Sequence, residues 1–544
     1  MKINIKNNIL SVLVSVSLMN VAIAEEVTLV VKKLDSDKYI KIVVDAAEVE
    51  MIRESELYAS VEEDVWVKTP RPVIKQKDEK QILSKTEKSK SQNRSNTQRT
   101  DEYVPNDPDF EFQYYFKDKS EFEGSSEILK GINKSVQNKK LRIAVIDGGF
   151  EDHEDLDWAY GYNFFDMWGE VRGPEFRDLT DEQKDCSGGH GLGVASIIGA
   201  KSNNGIGMAG VVDADMIALR AMSCGLGPLS AVAEAILHAA GEDVDDIPAI
   251  LQVDMINISM AGEFHTCPSY LQSAIDVANE KGIMIFVAAG NQNIDSNDVV
   301  PAKCTGIFVS GATEQNGYKT TFSNYGSKVD AMMAGMDVIG YTSNGITGWW
   351  EGTSQASPLA LGIAALGLQH NPELTRDELF TYLKATAESI REDVPSAEQD
   401  CSGDRCGTGL LHADKFMDYV LATTNGGVYR LHHALSPEST CDQELFLSQL
   451  GNTLQLCQMY EFVITDGEGK NENKYQLFKI VKGESITEGN AEFLLASDEK
   501  TVLLEGVDLE SYDYGVKICL NDACDSTPII KLDTDETAQP LICQ

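Results

Sequence analysis

The chain has 544 residues, 42% hydrophobic and 24% charged, the make-up of an ordinary soluble globular protein, and its length exceeds one compact domain. A formal net charge of −40 argues against nucleic acid or an anionic membrane surface as a partner and accords with solubility outside the cell. From Glu25 to Thr100 there are 15 basic and 15 acidic residues, so the acidity belongs to the rest of the chain.

In chain order, Lys2 and Lys6, the apolar run Ile9 to Val21 and the small-x-small triplet Ala22-Ile23-Ala24 have the form of an export signal over residues 1–24. No later stretch reaches the roughly 18 apolar residues of a membrane helix. Residues 25–68 mix strand-like runs (Val27 to Val31, Tyr39 to Val44) with a helix-like stretch over Ala46 to Ser55. Residues 69–103 are Lys-, Ser-, Gln- and Asn-rich and too polar to fold, which predicts a protease-accessible linker. Residues 104–424 alternate apolar strands (LRIAVID, MIALRAM, VDMINISM, GIMIFVAAGN, GIFVSGA) with amphipathic helices, the pattern of a parallel sheet covered on both faces. Residues 425–544 carry short strand-like runs, Tyr512 to Cys519 among them, and predict a small β-sandwich. Export places the 11 cysteines in a disulfide-permissive compartment, and the odd total leaves one over, for which Cys543 is the candidate.

Three residues carry chemistry. Asp147 ends the buried strand IAVID, the sheet edge where α/β folds bind ligands; a cap for the next element is the alternative. His190 lies in SGGHGLGVASIIGA at a helix start, hemmed by glycines that leave room for another side chain to reach it; a capping His is the alternative. Ser354 stands at the Gly-Thr turn of GTSQASPLALGIAAL, before a helix with Pro358 expected in its first turn. The N–H groups and positive end of that helix favour an oxyanion, though a plain N-cap Ser would read the same.

Taken in order, DGGFEDHEDL, HGLGVASIIGA, AAGNQN and GTSQASP resemble the four signature blocks of subtilisin-like serine proteases. The resemblance runs from about Pro105 to Leu421, and the CPSYLQSAID…VPAKC and CSGDRCGTG blocks are similar to an extracellular Gram-negative subgroup. It implies an α/β subtilisin-like three-layer fold with a mainly parallel sheet, preceded by a small α+β propeptide and followed by a small all-β domain. It implies a secreted endopeptidase acting on protein or peptide substrates through an acyl-enzyme, with Asp147, His190 and Ser354 as its triad. Asn291 and the Ser354 N–H would bind the oxyanion, while Ser259, Met260, Ala261 and Gly290 would contact substrate. YASVEEDVWVK resembles the end of the family's propeptide, an intramolecular inhibitor freed by cleavage between Pro70 and Tyr103. SNNGIGMAGV resembles the family's calcium loop, so Asp155, Asn204, Ile206 and Met208 would hold a structural Ca2+, with one ligand from the mature N-terminus unplaced.

The resemblance also implies the disulfides Cys267–Cys304 and Cys401–Cys406, leaving Cys186–Cys224 by elimination and Cys441–Cys457 and Cys519–Cys524 from proximity. The chain departs from the family at Gly148, where a hydroxyl residue is usual, at Leu192-Gly193, and at Gln355, where Met is usual. None of these removes a proton-transfer group. For the specificity pocket, Asp295 and Asp298 would favour basic side chains and Val299 and Val300 apolar ones, although acids in a surface loop are the commoner explanation of the two aspartates. Two other classes are disfavoured. A silent binding fold requires a damaged triad, and an esterase requires Gly-x-Ser-x-Gly in the order Ser…Asp…His.

Overall fold

The computed structural model describes residues 26–69 apart from 35–37 and 56, and residues 103–424 apart from 245, 246, 248, 251, 392 and 393. Beyond 424 it describes only strands. The export signal, residues 70–102 of the linker and Cys441, Cys457, Cys524 and Cys543 therefore lie outside the described residues.

The N-terminal unit is a three-stranded antiparallel sheet of β1 (Glu26–Lys33), β2 (Tyr39–Asp45) and β3 (Tyr58–Glu63), in the order β2-β1-β3. Its helix is shorter than the sequence suggests, Val49–Arg53 after a 3-10 turn at Ala46–Glu48, where the Asp45 side chain accepts the Ala47 N–H at 3.0 Å. Alternation places Leu29 and Val31 on one face with Ile42, Val44, Val49 and Ile52, and these close a small core. After β3 the chain forms the short strand β4 (Trp66–Lys68).

The large unit is built on β5 (Leu141–Asp147), β6 (Trp158–Asn163), β7 (Ala214–Arg220), β9 (Met255–Ile258), β11 (Met284–Ala288), β13 (Phe308–Thr313) and β14 (Ala331–Ala334); the short strands β8 (Leu226–Pro228), β10 (Gly262–Glu263) and β12 (Val299–Val300) lie outside this sheet. The seven strands run in the order β14-β13-β11-β9-β5-β7-β6, and each neighbouring pair is parallel. Period-two alternation explains the two cores. Ile143 and Val145 face a cluster that includes the helices His190–Gly199 and Thr353–His370, while Ala144 and Ile146 face the helices Leu229–Ala239 and Ser269–Glu280. This α/β architecture is the one the residue pattern predicts. Each buried aliphatic side chain contributes roughly 1.5–3 kcal/mol.

Beyond residue 424 the described strands form two four-stranded sheets, and Tyr512–Cys519 pairs in full register with Lys474–Val481. Among the described residues three disulfides are present, Cys186–Cys224, Cys267–Cys304 and Cys401–Cys406.

Candidate active site

Asp147 is fully buried at the C-terminal end of β5, where its Oδ1 accepts the Gly148 N–H at 2.7 Å. His190 opens its helix with Nδ1 at 2.9 and 3.0 Å from the two Asp147 oxygens. The glycines around His190 serve closer packing than the sequence suggests. A Cβ on Gly189 would meet the Ser343 backbone nitrogen at 2.4 Å, and one on Gly191 would meet the Gly148 carbonyl at 2.7 Å. Gly148 has a similar cause, since a Cβ there would meet the Met222 carbonyl at 2.6 Å and leave no room for a hydroxyl residue. Gly193 gives way to Trp350, whose ring packs edge-on to His190 with centroids 5.8 Å apart.

Ile146 of β5 pairs with Ile258 of β9, so Asp147 and Ser259 follow at adjacent positions on one sheet edge. Ser354 reaches the same edge: its Oγ donates to the Ser259 carbonyl at 3.2 Å, and the Ser259 hydroxyl donates to the Ser354 carbonyl at 2.8 Å. The second bond has a sequence cause. The helix begins at Thr353, so Pro358 is its sixth residue rather than a first-turn residue. Lacking an N–H, it leaves the Ser354 carbonyl without its helical donor, and the Ser259 hydroxyl takes that place. The buried His190 Nε2 has no hydrogen-bond partner.

The Asn291 Oδ1 accepts both the Thr353 N–H and the Thr353 hydroxyl at 2.9 Å, and Thr353 Oγ1 accepts the Gly290 N–H at 3.0 Å. With its oxygen so engaged, the carboxamide keeps its NH2 for another acceptor. The residue before helix Thr353–His370 is Gly352, which has no side chain to cap it, so apart from the Thr353 N–H held by Asn291 the positive end of its dipole has no cap from its own N-cap residue.

A pocket beside Ser354 is lined by Met260, Ala261, Ala288, Gly290, Asn291, Gln292 and Thr353, with Lys68 at its wall. Asp295 and Asp298 do not line it. The Asp295 side chain accepts the Asn297 N–H at 2.9 Å, and Asp298 pairs with exposed His265 at 2.9 Å. The buried Val299 and Val300 pair with Gly262–Glu263 instead and do not line it either.

Strand β4 crosses this site. It pairs antiparallel with β8, Val67 opposite Gly227, while Lys68 exchanges two 3.0 Å backbone bonds with Ala261 on its other side. The unit behind it caps two helices. Helices Leu229–Ala239 and Ser269–Glu280 follow prolines and have no side-chain cap of their own. Asp64 accepts the Ser230 N–H at 3.0 Å, and Glu62 accepts the Ser269 N–H at 2.9 Å. A cap of this kind is typically worth about 1 kcal/mol.

The 202–208 loop meets two buried carboxylates. Asp107 accepts the N–H groups of Asn203 and Asn204 at 2.7 and 3.1 Å, and Asp155 accepts from the Asn204 amide at 2.6 Å and from the Tyr341 hydroxyl. Burial pushes the Asp155 carboxyl up, its two donors counter this in part, and the charge of Asp107 pushes it further up. Paired buried acids among hard oxygen donors fit a calcium ion. Among the described residues no group of three His, Cys, Asp or Glu side chains is placed to hold a metal ion, so carbonyl and amide oxygens would complete such a set. Sequence reasoning missed Asp107; the signal was the Pro-Asn-Asp-Pro run ahead of the first buried aromatics.

The Subtilase family model matches residues 138–413, more than half of the chain. This chain is a subtilase. The subtilase is 34% identical over 312 residues to an extracellular protease of Xanthomonas campestris, covering 52% of each chain. It is 27% identical over 357 residues to an extracellular basic protease of Dichelobacter nodosus, covering 59% of this chain and 57% of the other. The chain thus spans little more than half the length of these relatives. Among solved structures it is similar to a protease from Pseudoalteromonas arctica, with 30% identity and a TM-score of 0.52 over 58% of this chain and all of that one. Among the described residues no helix is long and apolar enough to cross a membrane.

Proposed function

We propose that this subtilase is a secreted serine endopeptidase made as a zymogen, with residues 25–68 as its inhibitory propeptide and residues 69–103 as the linker that is cut. The observation that carries the reading is β4, which runs between β8 and Ala261 past Ser354 as an extended peptide substrate would. Backbone pairing of this kind supplies affinity with little dependence on sequence. Family membership and relatives named extracellular proteases support it.

In this mechanism Ser354 turns about its Cα–Cβ bond from the Ser259 carbonyl toward His190. Its Oγ attacks the peptide carbonyl carbon while His190 Nε2 takes the hydroxyl proton. Asp147 holds the imidazole with the proton on Nδ1 and stabilises the imidazolium. The Asn291 amide and the Ser354 N–H donate to the oxyanion. The C–N bond then breaks, the amine leaves with the proton from His190, and water activated by the same imidazole hydrolyses the acyl ester. Met260, Ala261, Ala288 and Gly290 wall the side-chain pocket without an acid or base, which favours uncharged residues before the scissile bond. Asp107, Asp155 and Asn204, with the carbonyls of Ile206 and Met208, would hold Ca2+, which when bound neutralises the paired carboxylates and braces the loop.

The test is Ser354→Ala expressed beside wild type, followed for precursor processing and for cleavage of a mixed peptide library. Wild type is expected to shed residues 25–68 and cut peptides, and the variant to do neither. A variant that still processes itself in isolation and cleaves peptides would overturn the assignment.

A further inference from the structure

Trp168 is an unusual residue to find on a surface. It is 60% exposed, and its φ of 56° lies in the left-handed region that a bulky side chain seldom occupies. Such a conformation persists only where the surroundings enforce it. Here they do. The loop is closed at its base by mutual backbone bonds between Asn163 and Gly173 at 2.7 and 3.1 Å, and the Asn163 amide donates to the carbonyls of Phe165 and Val171 at 3.0 Å. Its middle is held by the ion pair of Glu170 with Arg220, a guanidinium that is 2% exposed and sits opposite Asp147 in β7. Phe165 packs edge-on beneath the indole, with centroids 5.2 Å apart. The result is a rigid aromatic plane at the rim of the groove.

That plane is in use. Trp66 of β4 stacks on Trp168 with centroids 5.9 Å apart and planes inclined by 23°. Trp66 stands two residues upstream of Lys68, the residue that pairs with Ala261, and opposite Pro228 of β8. Leu226, 41% exposed, adds apolar surface to the same rim.

We propose that Trp168 is a specificity-determining residue: it forms an extended subsite that selects an aromatic side chain on the substrate two residues upstream of the position pairing with Ala261. The inference rests on the endopeptidase reading above. Trp66 then occupies the subsite in the precursor, and an aromatic residue of the substrate takes its place after processing. A stacked aromatic pair at a partly exposed site corresponds to a rate advantage of roughly 3- to 10-fold.

The test uses enzyme purified after expression of the full chain, with a peptide library cut by wild type, Trp168→Ala and Trp168→Phe. Wild type is expected to enrich aromatic residues at one fixed upstream position, with kcat/KM for a Trp peptide roughly 3- to 10-fold above its Ala counterpart. Trp168→Ala should erase that ratio by lowering kcat/KM for the Trp peptide toward that of its Ala counterpart, and Trp168→Phe should retain part of it. Should the Ala variant fail to accumulate, Trp168→Leu, apolar but not planar, makes the same comparison. An aromatic preference that survives in the Ala or Leu variant, or that is absent from wild type, overturns the subsite while leaving the endopeptidase intact. A chain that cuts no peptide overturns both.

Discussion

Replacing Asn291 by Ala removes the carboxamide proposed to meet the oxyanion, and the structure supplies a way to separate that role from simple support. The Asn291 oxygen is held by two bonds of 2.9 Å from Thr353, one from the backbone and one from the hydroxyl. Losing the donor itself is expected to cost about 3–4 kcal/mol of transition-state stabilisation, a fall of roughly 10²–10³ in kcat with KM little changed. Thr353→Val removes one of the two orienting bonds. A neutral bond of this kind is worth about 1 kcal/mol, so the expected loss is roughly 5-fold. The same change strands the Gly290 N–H, which loses its 3.0 Å acceptor, and this should appear as lowered thermal stability. The assay is steady-state hydrolysis of a chromogenic peptide by both single variants and the double variant. If Thr353 acts through Asn291, its effect on kcat vanishes in the Asn291→Ala background, and the double-mutant cycle shows strong non-additivity. A kcat for Asn291→Ala within 10-fold of wild type, or two effects that simply add, refutes the reasoning.

Chelation should lower the melting temperature, and Asp107→Asn should shrink the stabilisation by added calcium, because one of the two buried carboxylates is then neutral; equal calcium responses in both proteins would count against Asp107 as a ligand. His238 is buried among Tyr160, Tyr162 and Phe164, and burial pushes its imidazole down from 6.5 to about 4. Below pH 6.5 the unfolded chain takes up a proton that the folded one refuses, so stability is lost as pH falls from 6.5 toward 4, by about 3 kcal/mol in all. His238→Phe should flatten that acid limb of the melting curve, and an unchanged slope would place the loss elsewhere. Cys186–Cys224 closes a span of 38 residues that joins the approach to His190 with Gly225, whose carbonyl accepts from Thr69 at 3.0 Å. Converting both cysteines to Ser is expected to cost about 4 kcal/mol in the chain-entropy picture and to raise KM for long peptides more than for short ones, measured by thermal melts and peptide kinetics.

Much of the site was legible along the chain because its members sit where local patterns end. Asp147 closes an apolar strand, His190 follows a glycine pair, and Ser354 opens a long helix; such boundaries show in composition and periodicity alone. The alternation of the parallel sheet was equally accessible, whereas the pairings Cys267–Cys304 and Cys401–Cys406 came from the family resemblance. Pro358 was misplaced by a turn, since helix boundaries depend on hydrogen bonds that sequence does not display. Asp107 was missed because it lies far in sequence from the loop it caps.

What the sequence by itself determined is the α/β class and the alternation of parallel strands and helices, which follow from local periodicity, while the choice of Asp147, His190 and Ser354 over their capping alternatives came from the family resemblance of their four blocks. Only the tertiary structure decided what those residues touch. The exclusion of Asp295 and Asp298 from the pocket depends on hydrogen bonds within their loop and on the pairing of Asp298 with His265 across the fold. The seating of β4 on Ala261 and the stacking of Trp66 on Trp168 join residues separated by roughly 100 to 190 positions. Contacts of that range are set by how packed layers meet, and no local signal in the chain encodes them.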